Sequence, residues 1–238
     1  MSLACPSLIS DISPGLCSAV QNYCERTSAA LDAEPVNAVT NAAFLIAAWA
    51  GWRLQSRHTD AGAAGIVRAL IICTAIVGLG SFLFHTVATR WAEWGDVLPI
   101  LAFMLMFLWV SLSRFFGWRV WATLGALALF FGSTFTLEAA VPGEFLYGGA
   151  LYAPPLFTLL AMAAALSRRH LAAGRALFAA TCVFLVSLAA RMLDMPICPM
   201  FPLGSHFLWH IFNALLLYLL MRSVILYAPP SRQASAPG

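Results

Sequence analysis

Two histidines four residues apart, His206 and His210, stand at the head of one long apolar run, and a third, His85, stands near the end of another. With Ser81 and Asp96 they read Ser-x3-His-x10-Asp and then, far along the chain, His-x3-His. Three imidazoles and a water make the ligand set of a catalytic zinc. Such a metal lowers the pKa of its water toward about 7 and polarises a carbonyl as a Lewis acid. A carboxylate close by can take the proton, so Asp96 is the candidate base, or else a partner that orients a ligand histidine. Ser81 is the candidate donor to a developing oxyanion, where scarce water strengthens the bond. The chemistry so encoded is metal-assisted hydrolysis of an acyl bond in a lipid. Each residue also has a plainer role. A histidine in an apolar helix can hydrogen-bond a neighbouring helix, a serine can line a helix contact, and an aspartate can cap a helix start. Only the set as a whole, brought to one place, argues for the metal.

The elements that must position these residues are membrane helices. The 238 residues are 61% hydrophobic and 10% charged, with a mean hydropathy of +0.84. Apolar runs near the roughly 20 residues needed to cross a hydrocarbon core recur along the chain. They predict seven spans at about 36–54, 64–86, 97–113, 120–137, 145–166, 175–193 and 206–227. The expected architecture is an all-α integral membrane bundle of seven helices over 36–227. An extracytoplasmic segment, 1–35, precedes it, and a flexible tail, 228–238, follows it. Short connections leave no room for a soluble domain, and the first 20 residues lack the pattern of a signal peptide. No internal repeat and no nucleic-acid motif is present.

Charge orients the bundle. All 13 basic residues are arginine. Arg53, Arg57, Arg68, Arg114, Arg119, Arg168, Arg169, Arg175, Arg222 and Arg232 fall at one set of span ends, leaving Arg26, Arg90 and Arg191 for the other. Every acid except Asp60 falls on the arginine-poor side: Asp11, Glu25, Asp32, Glu34, Glu93, Asp96, Glu138, Glu144 and Asp194. The positive-inside rule then places the C-terminus in the cytoplasm and the N-terminus outside, as an odd span count requires. Residues four apart share a helix face, so Ser81 pairs with His85 and His206 with His210. With Asp96 opening the third span, all five land in one outer layer. Cys5, Cys17, Cys24 and Cys198 lie outside, where disulfides persist, and allow three pairings. Cys24 with Cys198 is favoured because it ties the N-terminal segment to the loop before the last span; free thiols throughout are the alternative. Cys73 and Cys182 fall within spans, and His58 and His170 in arginine-rich loops.

These residues resemble a known family. Ser81-Phe-Leu-Phe-His85, Asp96 and His206-Phe-Leu-Trp-His210 are similar to the signature of the alkaline ceramidases. That group belongs to a superfamily of seven-span membrane hydrolases that includes the adiponectin and progestin receptors and Per1-type proteins. Asn22-Tyr23-Cys24-Glu25 resembles the ceramidase segment before the first span. Glu34, Asn37 and Asn41 resemble the entry to its first helix, and the outside N-terminus also fits that branch. The resemblance implies zinc on His85, His206 and His210, proton handling by Asp96, oxyanion stabilisation by Ser81, and cleavage of the ceramide amide to a sphingoid base and a fatty acid. The lipid would reach the site from the bilayer. It also implies a calcium site, to which Asn22, Glu25 and Glu34 correspond in part, with Arg26 standing among them and the Glu25–Glu34 spacing short. Three other functions stay open: a lipid ester hydrolase of the remodelling type, a receptor-like member with a structural zinc, or a proton-coupled transporter with the histidines as relay.

Overall fold

The computed structural model describes residues 5–58, 64–142 and 145–229. Most of the expected tail 228–238 lies outside the described residues, as do Asp60, Glu144 and Arg232. The regular structure of the described residues is helical, apart from one isolated antiparallel β-bridge between Ala19 and Thr89. In chain order come α1 (Ser7–Ile12), a 3-10 turn (Pro14–Cys17), α2 (Pro35–Thr40), α3 (Ala42–Gln55), α4 (Ala64–Val87), α5 (Arg90–Arg114) and α6 (Val120–Ala140). A second 3-10 run (Phe145–Tyr152) leads to α7 (Ala153–Ser167), α8 (Leu171–Ile197) and α9 (His206–Tyr227).

Among the described residues, six stretches are long and apolar enough to cross a membrane: Ala64–Val87, Arg90–Arg114, Val120–Leu137, Tyr147–Ser167, Leu171–Ile197 and His206–Tyr227. The expected first span, 36–54, is instead two shorter helices that break at Asn41. Local side chains cause the break. Thr40 Oγ1 turns back onto the Val36 and Asn37 carbonyls, and Asn41 Nδ2 donates to Asn37 O at 2.9 Å. Such side-chain bonds compete with the helical ladder.

Two boundaries differ from those expected, and both matter to the site. α5 starts at Arg90 rather than near 97, so Asp96 does not open the helix but sits in its second turn. Hydropathy falls over Arg90, Glu93 and Asp96. Thr89 nevertheless stands at the N-cap in extended conformation, and Glu93 in the first turn suits the positive end of the helix dipole. α8 continues to Ile197, which places Asp194 as well as Arg191 inside a membrane helix.

The packing core runs through the bundle, with Phe44, Leu70, Val77, Phe103, Leu177 and Met221 almost wholly buried. Large apolar side chains also face outward, among them Trp49, Ile72, Leu79, Leu129 and Phe157. Such a surface suits hydrocarbon, where the helical backbone bonds are satisfied within each segment. The N-terminal segment covers one end of the bundle. Val20 N–H donates to Ala88 O at 2.9 Å and Arg90 N–H to Ser18 O at 3.0 Å, which joins it to the α4–α5 turn. Disulfides pair Cys5 with Cys17 and Cys24 with Cys198, the second reaching the loop before α9. Cys73 and Cys182 are free thiols.

Candidate metal centre

His85 closes α4, and His206 and His210 open α9, so the three imidazoles meet at the end of the bundle that the N-terminal segment covers. All three are buried, and one ligand atom from each lies within 4.8 Å of the others. The ring partners fix which atoms face inward. Glu34 Oε2 accepts from His85 Nδ1 at 2.6 Å, which leaves Nε2 as the free lone pair. His210 Nδ1 meets Thr40 Oγ1 at 3.0 Å, again leaving Nε2. These two Nε2 atoms face each other at 3.1 Å. His206 Nδ1 is buried with no hydrogen-bond partner among the described residues. Converging lone pairs and an orphaned ring nitrogen are costly unless a cation gathers them. Three buried imidazoles are a donor set that suits zinc, and the outer partners Glu34 and Thr40 orient the rings as such ligands require.

Asp96 and Ser81 arrive by a close helix crossing. A Cβ at Gly80 would run into the Gly95 carbonyl of α5, so α4 and α5 touch there only because residue 80 has no side chain. Pro99, inside α5, has no N–H to offer the Gly95 carbonyl four residues earlier, which frees that backbone for the crossing. The crossing sets Ser81 beside Asp96. Asp96 Oδ1 stays buried without a partner among the described residues, which leaves one carboxylate oxygen able to take a proton. A helix-cap role for Asp96 is excluded by its place within α5.

Sequence reasoning passed over Tyr23, Arg191 and Asp194 as site residues. The Tyr23 ring stacks on His206 with centroids 3.8 Å apart and lies 5.0 Å from His85. Its hydroxyl accepts from Arg191 Nη1 at 3.2 Å, and burial pushes the phenol above its ordinary pKa. Arg191 sits in an aromatic cage, with Tyr23, Tyr152 and Trp209 ring centroids at 5.9, 5.5 and 5.4 Å. Asp194 caps α9: Oδ1 accepts from Ser205 N and His206 N at 2.7 and 2.9 Å, and Oδ2 from Cys24 N at 2.9 Å. Gly204, at φ +67°, has no room for a Cβ beside this carboxylate and Cys24. Asp194 thereby fixes the first turn of α9, and with it His206. A charged pair three residues apart at the end of an apolar run was the available signal. The rule that singles out the histidines singles out Arg191 and Asp194 equally.

The residues that correspond to a calcium site do not make an oxygen cage. Asn22 is exposed. Glu25 accepts from Val36 N and Asn37 N, both at 2.8 Å, at the start of α2. Glu34 is divided between Arg26, Asn37 and His85. Burial alone would raise the Glu34 carboxyl, but its bonds to His85 and Arg26 hold it below its ordinary pKa.

A cavity of about 570 Å³ adjoins the centre. Its polar end is Tyr23 and Arg191, and its walls come from α5, α6, the 3-10 run and α8, including Trp94, Leu98, Met104 and Phe135. A smaller void of about 70 Å³ shares Ile100, Met104 and Tyr152 with it and runs on among Phe103, Phe130 and Leu159. A family model described as Ceramidase matches residues 15–235 of the chain. No curated protein matches it.

Proposed function

The chain belongs to the ceramidase family, and from that premise we propose that it is a zinc-dependent amidase of the membrane, converting ceramide to a sphingoid base and a fatty acid. The observation that carries the reading is the buried triad of imidazoles beside a carboxylate with one unpartnered oxygen. Zinc on His85, His206 and His210 would supply Lewis acidity, acidifying water and polarising the amide carbonyl. Asp96 takes the proton from the attacking water at Oδ1 and returns it to the nitrogen as the C–N bond breaks. Ser81, beside that carboxylate, donates to the developing oxyanion. Tyr23 accepts from Arg191, so its own proton is free to point at the substrate. The hydrocarbon chains lie along the apolar walls of the cavity, with the amide at its polar end. In this reading α2 and α3 together complete a seventh span. The N-terminus and the active site then face the extracytoplasmic side and the C-terminus the cytoplasm, as the arginine distribution indicates.

The test is a panel of N-acyl and O-acyl lipids of equal chain length, offered to the detergent-purified protein. Release from ceramide but not from the matched esters is expected. Faster release from the esters would turn the reading into a lipid esterase on the same site.

A further inference from the structure

Arg26 carries a permanent charge into an enclosed nest of oxygens. Its side chain and that of Glu34 are each 2% exposed. Its Nε bonds Glu34 Oε1. Nη2 donates to the His85 carbonyl at 2.9 Å, and Nη1 to the Ser28 and Ala30 carbonyls, each at 3.3 Å. One guanidinium thus gathers a carboxylate and three carbonyls from the N-terminal segment, the entry to α2 and the end of α4. Gathering oxygens from separate segments is the structural task of a bound divalent cation, which wants six to eight of them. The acids here are already committed, Glu25 to the α2 backbone and Glu34 to Arg26 and His85. A second cation at this place would meet the guanidinium rather than free oxygens.

We infer that Arg26 is a built-in cation that stands where the resemblance places calcium. The N-terminal segment, and through Glu34 the orientation of His85, are held without calcium. Arg26 is a positioning residue on this account. It fixes Glu34, and Glu34 accepts the hydrogen bond from His85 Nδ1–H, which keeps the proton on Nδ1 and presents Nε2 to the metal. A neutral substitute would leave a buried carboxylate without its counter-charge, a costlier state than either the pair or an apolar replacement. The inference leans on the zinc reading only for the identity of the metal at the histidines.

The experiment titrates calcium into zinc-loaded, calcium-stripped wild-type protein and follows the melting temperature and direct calcium binding. No saturable shift and no binding are expected. A saturable rise in melting temperature overturns the inference. In parallel, Arg26→Gln is compared with wild type for zinc retention against a chromophoric chelator. A loss of about 10–100-fold in affinity is expected, with partial recovery in Arg26→Lys. Wild-type zinc affinity in Arg26→Gln would overturn the positioning role. Should that variant fail to fold, the wild-type calcium titration decides alone. None of these readouts uses ceramide, so a failure to hydrolyse it would count against the proposed function and not against this inference.

Discussion

The two sides of the bundle are built to different standards. In α9, which carries two of the histidines, 56% of the most apolar window is buried within the protein; in α6, which walls the cavity, the share is 17%. Around the histidines several anchors converge. α4 and α9 are held by Glu34, Thr40 and the Asp194 cap, and the Cys24–Cys198 bridge ties the covering segment down. Around the cavity, α6 contributes mostly outward-facing apolar side chains, such as Leu129 and Phe131. The difference matches two physical demands. On the proposed function, a metal site must keep its ligands and their partners fixed, whereas a lipid with long chains needs a wall by which it can enter.

Substitutions on each side should separate the two roles. His210→Ala should have the largest effect, with bound zinc and hydrolysis lost together; normal zinc stoichiometry in that variant would remove His210 from the ligand set. Asp96→Asn should keep zinc and lose about 10²–10⁴-fold in turnover, the usual contribution of a positioned base. Unchanged turnover would reduce Asp96 to a packing group. Gly80→Val should force α4 off Gly95 and move Ser81 and Asp96 relative to the histidines. A displacement near 1 Å costs about 100-fold in rate, and overpacking costs about 1–3 kcal/mol of stability. Zinc content should stay intact, and a wild-type rate would show that the crossing does not position the base. Met104→Trp, on the cavity wall, should be mildest, raising KM for long-chain substrate by roughly tenfold at most, with kcat and zinc unchanged. A fall in kcat of the Asp96→Asn size would erase the division between the two sides.

Much of this was legible in the sequence because hydropathy and helical spacing are local signals. Ser81 and His85 share a helix end, as do His206 and His210, and the structure brings both pairs to the end that holds Asp96. Hydropathy misread the places where polar side chains lie within helices. It began the third span after Asp96 and ended the sixth before Asp194, since it counts charge and ignores the Thr89 cap and the carboxylate capping α9. It also missed the break at Asn41, which arises from side-chain bonds back to the chain rather than from loss of apolar character. Tyr23 was hidden for another reason. Its partners lie far away in sequence, and its contact with His206 leaves no mark in local pattern.

The central claim is that the buried histidines hold a metal that hydrolyses the ceramide amide. It is tested most directly by measuring sphingoid base released from ceramide by the purified protein, before zinc removal, after it, and after zinc is restored. The account predicts release that falls to background on removal and returns with about one zinc per chain. Release that persists in zinc-free protein, or none from folded protein with zinc bound, would contradict it.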